Sequence, residues 1–354
     1  MSKVAPNSSG SNNTSPSALV KREVRVTFWG VRGSLPTPQT PEAIRGRLRE
    51  ALTGFSESGA SHADAYLESM PIAAVGGYGG DTACVEVERV GGNLSEDRLI
   101  IDCGSALRRL GGKMMGGPCG RGQGKVHILL THFHWDHLVG LPFFPPIFIP
   151  GNEVNFYAVQ PDLSQNIQAM FRKPFFPVAF EELRSNVRFH QLEPRKTFNI
   201  GAFEITPYQL DHPDPCWGYR IEFETPKARR AYAHAVDSEC TRISEIDLGE
   251  DVKLYRNADL LLFDAQYTLQ EAAEHMNWGH SAAPIGLDLA LREGVKCIRF
   301  AHHDPGASDA KIADAERQTR EYMEALGSFA KQNARTHPEV DWRFAHDGDS
   351  ILLD

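Results

Sequence analysis

Apolar residues in this chain gather in short runs of four to eight, set between clusters of glycine, proline and small polar residues. Such runs read as buried strands rather than long helices. Residues 24–30 (VRVTFWG) open the ordered part, with β-branched and aromatic side chains suited to a pleated surface. Similar runs predict strands at 82–87, 98–102, 126–130, 154–159, 187–192, 203–210, 218–223, 231–235, 259–264, 297–301, 342–345 and 351–353. Helical spacing occurs at 41–53, where a proline opens the segment and Ile44, Leu48 and Leu52 recur, and again at 161–172, 282–293 and 308–332. Residues 54–80 read as an excursion ending in Gly76-Gly77-Tyr78-Gly79-Gly80. Residues 103–124 carry eight glycines and predict a short helix followed by a loop. Residues 143–150 (FFPPIFIP) hold too much proline for a helix. Strands with helices interposed, no internal repeat and no linker predict a layered α/β sandwich in a single domain over residues 23–354. A helical insertion is expected at about 38–75, and residues 1–22, rich in Ser, Asn and Pro, are expected to be a disordered tail.

Composition narrows the class. The 354 residues, 41% apolar and 23% charged, are those of an ordinary globular protein. The formal net charge of −9 argues against a broad nucleic-acid footprint, which carries a basic face. Apolar runs fall short of the roughly 18 residues that span a bilayer, so no membrane partner is expected. The first 20 residues lack the apolar core of a signal peptide. Cys84, Cys103, Cys119, Cys216, Cys240 and Cys297 are scattered without a CxxC pair, which suits reduced thiols and a cytoplasmic location.

Chemistry concentrates after the run 126–130. His132, His134, Asp136 and His137 fall within six residues, in Thr131-His132-Phe133-His134-Trp135-Asp136-His137. Imidazole nitrogen and carboxylate oxygen are what zinc, manganese and iron accept, and a catalytic metal is favoured over a chance polar cluster. Further ligands must come from downstream strand ends, and His212, Asp237 and His302 qualify. Strand alternation puts Ile298, Phe300 and His302 on one face and Arg299, Ala301 and His303 on the other, which favours His302 over His303. Taken singly, each is weak, since a lone strand-end histidine is more often a hydrogen-bonded loop residue than a ligand.

The pattern HxHxDH followed by His, Asp and His at successive strand ends resembles the metallo-β-lactamase-fold superfamily, from about residue 24 to the C-terminus. Residues 28–34 (FWGVRGS), Gly79-Gly80-Asp81-Thr82 and Ile101-Asp102-Cys103-Gly104 are similar to the branch containing ribonuclease Z and cyclic-phosphate phosphodiesterases. The resemblance implies a four-layered αββα sandwich and two divalent metal ions, zinc first, with manganese or iron as alternatives. It implies His132, His134 and His212 on one ion, Asp136, His137 and His302 on the other, and Asp237 bridging both. Asp102 matches an early aspartate that supports the metal loop, a role also open to a plain strand-end turn residue. Two such ions about 3.5–4 Å apart share a bridging water and generate hydroxide at neutral pH, and the site keeps a small positive balance that suits a phosphodiester. His280 and Asp264, in Trp278-Gly279-His280-Ser281 and Leu262-Phe263-Asp264, resemble a proton donor near the scissile phosphate and the acid that orients it. The bland alternatives are a residue beside a helix cap at Ser281, and a strand-end turn.

The implied activity is therefore a dinuclear phosphodiesterase with Asp136, His280 and Asp264 as catalytic residues. The long Gly- and Pro-rich arm of ribonuclease Z has no counterpart between residues 141 and 236. That absence and the −9 charge point to a small or cyclic nucleotide diester, with large nucleic acid not expected as a partner. A homodimer is expected by resemblance. Trp135, Phe143, Phe144, Phe148 and Trp217 are either pocket walls or core, and Arg32 and Arg172 either phosphate contacts or surface residues. Competing readings are a carboxylic ester or thioester hydrolase on the same metals, a transfer-RNA 3′-end endonuclease, and a non-enzymatic metal-dependent sensor.

Overall fold

The computed structural model describes residues 22–92, 98–240, 243–333 and 339–354; nearly all of the expected tail at 1–22 lies outside them. Among these residues, strands in chain order are β1 (Val24–Gly30), β2 (Cys84–Arg89), β3 (Arg98–Ile101), β4 (Lys125–Leu129), β5 (Glu153–Ala158), β6 (Asn186–Gln191), β7 (Phe198–Ile200), β8 (Phe203–Gln209), β9 (Trp217–Glu224), β10 (Arg229–Ala235), β11 (Leu260–Asp264), β12 (Cys297–Ala301), β13 (Asp341–Phe344) and β14 (Asp349–Leu353). They build two seven-stranded mixed sheets, ordered β14-β1-β2-β3-β4-β5-β6 and β13-β12-β11-β10-β9-β8-β7.

The apolar runs are explained by burial on both faces of each sheet. In β3, Leu99 and Ile101 face the second sheet while Ile100 faces outward to helix packing. In β11, Leu260 and Leu262 face the first sheet, and Leu261 and Phe263 meet outer helices. Between the sheets, Val26, Phe28, Val87 and Leu129 from one side pack with Ile205, Tyr219, Ile221 and Tyr232 from the other. Helices Leu107–Met114 and Leu163–Ala169 cover one outer face, and Ala283–Glu293 and Asp309–Gln332 the other. The result is the expected αββα sandwich.

Where the chain departs from the sequence reading, local chemistry explains it. The helix predicted at 41–53 runs Pro41–Ser58, capped by the Thr40 side chain, and has no buried residue. Two more helices, Ala63–Ser69 and Ile72–Val75, occupy the expected excursion. The Pro-rich stretch folds as 3-10 turns at Leu141–Phe143 and Pro145–Phe148. No helix among the described residues is long and apolar enough to cross a membrane.

Strand direction then fixes where chemistry collects. β3, β4 and β5 run parallel, as do β10, β11 and β12. β8 is antiparallel to β9, which is antiparallel to β10, so β8 points the same way as β10. The C-terminal ends of β3, β4, β8, β10, β11 and β12 therefore share one edge of the sandwich. The sheets are tied there: Trp217 N donates to Thr131 O at 3.0 Å, and Arg32 bridges Thr82 on one side and His303 on the other.

Candidate metal centre

Each strand ending at this edge delivers one part of the site. β4 runs into Thr131 and the turn Trp135–His137, which buries Asp136 and His137. β8 leads to His212, β10 to Asp237, β11 ends on Asp264 and β12 leads to His302. Asp102, Asp237 and His302 all adopt left-handed backbone, with φ of 63°, 58° and 63°. For non-glycine residues such angles cost free energy and gather where function over-determines the chain.

The seven predicted ligands come together. Donor atoms of His132, His134 and His212 lie within 4.8 Å of one another, and so do those of Asp136, His137, Asp237 and His302. Asp237 stands between the groups, with Oδ1 3.9 Å from His132 Nε2 and Oδ2 3.0 Å from His137 Nε2. His302 Nε2 is 3.2 Å from both Asp136 and Asp237. His303, the rejected neighbour, turns away and binds the Ala345 carbonyl at 2.9 Å.

Imidazole orientation is set from outside. His137 Nδ1 donates to Asp102 Oδ2 at 2.8 Å, and His302 Nδ1 to Gln266 Oε1 at 3.0 Å. His132 Nδ1 meets Thr131 Oγ1 at 3.1 Å, and that hydroxyl in turn donates to Asp102 at 2.9 Å. His212 Nδ1 is held by the Asp214 carbonyl at 2.9 Å. His134 is held through Nε2, 2.8 Å from Asp214 Oδ2, which leaves Nδ1 as its donor. Metal-ligating histidines show this arrangement, an outer nitrogen hydrogen-bonded and an inner one free. His132 Nε2, His137 Nε2 and Asp237 Oδ2 are buried and make no aligned hydrogen bond. Buried polar atoms are nearly always paired, so orphans facing one another fit a cation.

Charge points the same way. Asp102, Asp136, Asp237 and Asp264 are all buried, and uncompensated buried carboxylates are costly. Burial opposes a charge on His137, but Asp237, Asp136 and Asp102 outweigh it and raise its pKa well above the usual imidazole range. The same contest, burial against Asp237, Asp136 and Asp264, pushes His302 up to about 9. Burial would raise Asp136 and Asp237, yet the nearby imidazoles hold both below the usual carboxylate range. Protons on His137 and His302 thus stand where divalent cations would otherwise balance the carboxylates. His132 and His212 are pushed down, chiefly by burial, and remain neutral donors.

Asp264 and His280 join at the second group. His280 Nδ1 lies 3.0 Å from Asp264 Oδ2, and its ring stacks on His302 with centroids 4.9 Å apart. Asp264 also accepts the backbone N–H groups of Asp237, Gln266 and Ser281, each at 3.1 Å, so it cannot swing away. Several contributors escaped the sequence reading. Gln266, Thr131 and Asp214 act through their neighbours, and proximity to a strand-end ligand was the available signal for each. Ser34 N donates to Asp136 Oδ2 at 2.7 Å, a backbone contact with no compositional trace. Gly33 beside it is required: a Cβ there would sit 2.3 Å from His302 Nδ1.

The structure assigns the aromatic and basic candidates. Phe144 and Trp217 are core, Phe148 packs against core, and Phe143 and Trp135 are exposed. Arg172 lies on the surface. Arg32 is buried and satisfies the carbonyls of Gly79, Asp304 and Ala307, so it staples loops rather than meeting a phosphate.

Comparison with known proteins places this geometry. The profile of the beta-lactamase superfamily domain matches residues 97–303. The ribonuclease Z of Staphylococcus carnosus is 28% identical over 149 residues, 40% of this chain and 44% of that one, so the match spans under half of that relative. The ribonuclease Z of Halorubrum lacusprofundi is 24% identical over 286 residues, 66% of this chain and 84% of its own length. The crystal structure of the short form of human tRNase Z shares the fold with a TM-score of 0.53 at 16% identity, over 93% of this chain and 99% of that one. These relatives overturn the expectation that large nucleic acid is not a partner, since the curated ones are named as ribonucleases. The physical reason is that a net charge of −9 describes the whole surface, whereas the field at one strand edge is set by a few buried groups and whatever cations they hold.

Proposed function

The chain belongs to the beta-lactamase superfamily, and on that footing we propose that it is a metal-dependent hydrolase of phosphodiester bonds, with nucleotide diesters, RNA among them, as its substrate class. The observation that carries the reading is the convergence of the inner atoms of His132, His137 and Asp237, buried without an aligned hydrogen bond, with Asp237 standing between two groups of donors. We assign His132, His134 and His212 to one divalent ion and Asp136, His137 and His302 to a second, with Asp237 between them. The nitrogen-rich donor set suits zinc first, then manganese or iron. Such ions supply Lewis acidity towards a phosphoryl oxygen and lower the pKa of water.

The chain's own groups do the rest. Asp102 fixes the His137 tautomer, and Gln266 fixes that of His302, so both present Nε2 inward. Asp264 holds His280 through Nδ1, which leaves Nε2 as the atom to deliver a proton to the departing oxygen. Ribonuclease Z relatives bring RNA into the substrate class.

The test has three arms. Purified protein is expected to carry close to two divalent metals per chain and His134→Ala to lose metal. Bis(p-nitrophenyl) phosphate is expected to be cleaved and p-nitrophenyl acetate not. His280→Ala is expected to lower turnover by about 10²–10⁴ with metal content intact. Protein that binds no metal, or cleavage of the acetate alone, would remove the reading; full turnover in His280→Ala would remove the proton-donor assignment.

A further inference from the structure

Two large indole rings stand in solvent at the rim of this site. Trp135 is 72% exposed and Trp278 62% exposed. Single exposed apolar residues are common and call for no account. These two differ because both adjoin the same pair of imidazoles. Trp135 follows His134 directly. Trp278 precedes Gly279, which lies so close to His212 that a Cβ would meet its Cδ2 at 2.3 Å. The His134 and His212 rings are themselves 5.1 Å apart. Both indoles are thus carried by residues next to the more open side of the centre, where His134 has nearly half its side chain in solvent.

Neither indole hangs on a slack loop. The Trp135 carbonyl accepts from Leu138 at 3.0 Å and Val139 at 2.7 Å, closing the ligand turn. Around Trp278, Asn277 and Gly279 both take left-handed backbone, with φ of 68° and 88°. The carboxylate of Glu239 clamps both, accepting from Asn277 N at 2.8 Å and Gly279 N at 3.1 Å. Glycine takes such an angle freely, whereas Asn277 holds it where the surroundings enforce it. Trp278 is further braced edge-on by His275 at 4.8 Å, which stacks on Tyr267 at 4.9 Å. Tyr267 in turn meets the His280 ring at 5.9 Å, so the bracing runs back to the proposed proton donor.

We propose that Trp135 and Trp278 are base-stacking walls that hold unpaired nucleobases on either side of the phosphate presented to His134 and His212. The proposal rests on the phosphodiesterase reading and sharpens it, since it requires a substrate with nucleobases free of a duplex stack. Every base offers a π face, so such walls favour nucleotides over other diesters with little sequence preference.

The test compares thymidine 5′-(p-nitrophenyl phosphate) with methyl p-nitrophenyl phosphate on the metal-loaded enzyme, using the ratio of their kcat/KM values. Whichever of Trp135→Ala and Trp278→Ala removes the wall under the thymine is expected to lower that ratio about tenfold, through KM of the nucleotide substrate, while loss of the opposite wall, which meets the p-nitrophenyl group of both substrates, cancels in the ratio. Trp135→Phe and Trp278→Phe are expected to restore most of it, and Phe329→Ala, an exposed ring on the helix Asp309–Gln332, to leave it unchanged. A ratio within twofold of wild type in both alanine variants would overturn the proposal. Quenching of tryptophan emission by 5′-AMP gives a second readout, expected in the wild type and lost in the double alanine variant. Wild type that cleaves neither diester yet shows this quenching would remove the hydrolase reading and keep the stacking walls. Absence of quenching with intact diesterase activity would do the reverse.

Discussion

At the scale of single residues, the centre works by holding one nitrogen of each imidazole from outside. Asp102 is the hub, accepting from Thr131 N at 2.9 Å, Thr131 Oγ1 at 2.9 Å and His137 Nδ1 at 2.8 Å. Asp102→Asn would turn an amide N–H towards one of these donors and loosen two histidines at once. Metal affinity is expected to fall about 10–100-fold, read by competition with a chelating dye; unchanged affinity would show that Asp102 is only a turn residue. The pH dependence of metal uptake has a definite sign. In the metal-free protein His302 is raised to about 9 from an ordinary 6.5. Its proton stabilises the fold fully below pH 6.5, and that contribution is lost as pH rises through 9. A metal must displace that proton, so affinity is expected to rise from pH 6.5 to 9, with protons released on loading. Calorimetry in buffers of different ionisation enthalpy reads the release, and none at pH 7 would contradict the raised value. The seven residues that converge at this edge were legible because their spacing is compact and repeated at strand ends. Gln266, Asp214 and the Ser34 amide were not, because a hydrogen bond to a ligand leaves no pattern in the chain.

At the scale of elements, apolar runs marked nearly every strand because both faces of each sheet are covered. β7 escaped, having three residues at a sheet edge and little to bury. The helix Pro41–Ser58 shows the limit of periodicity. Ile44, Leu48 and Leu52 share one face as their spacing predicts, yet all three are exposed, so spacing disclosed the helix and not its burial. Loops near the site depend on acceptors far along the chain. Asp347 accepts from Val31 at 3.2 Å, Gly80 at 3.0 Å and Asp81 at 3.1 Å, pinning the two loops that frame Ser34. Burial, with Asp81 adding, pushes its carboxyl up to about 6 against those hydrogen bonds and Arg109. Asp347→Asn keeps the size and removes one acceptor oxygen. It is expected to destabilise by about 1–3 kcal/mol, measured by urea unfolding at pH 5, below the raised carboxyl value, so that the amide relieves no ionisation cost; a loss below 0.5 kcal/mol would mean the loops hold without it.

At the scale of the whole molecule, the donors come from both sheets, His132 to His137 from one and His212, Asp237 and His302 from the other. Bound cations would fasten the two halves of the sandwich. Chelation is therefore expected to lower Tm by about 5 °C for a site filled at a thousand times its Kd, measured by scanning calorimetry; an unchanged Tm would place the cations outside the fold's framework. Overall charge, so easily read, misled about nucleic acid because it averages over the surface. The division of donors between sheets also has a consequence in time. At about 5–20 residues per second, His302 follows His137 from the ribosome by roughly 10–30 s. During that interval the half-built cluster is open to whichever cation the cell offers, and copper outcompetes zinc for open nitrogen and oxygen donors. On the proposed reading, the cation finally enclosed would depend on supply while the second sheet is being made, as well as on the finished geometry. Shifting the medium from zinc to manganese during synthesis, rather than after it, would show this in the metal content of the folded protein.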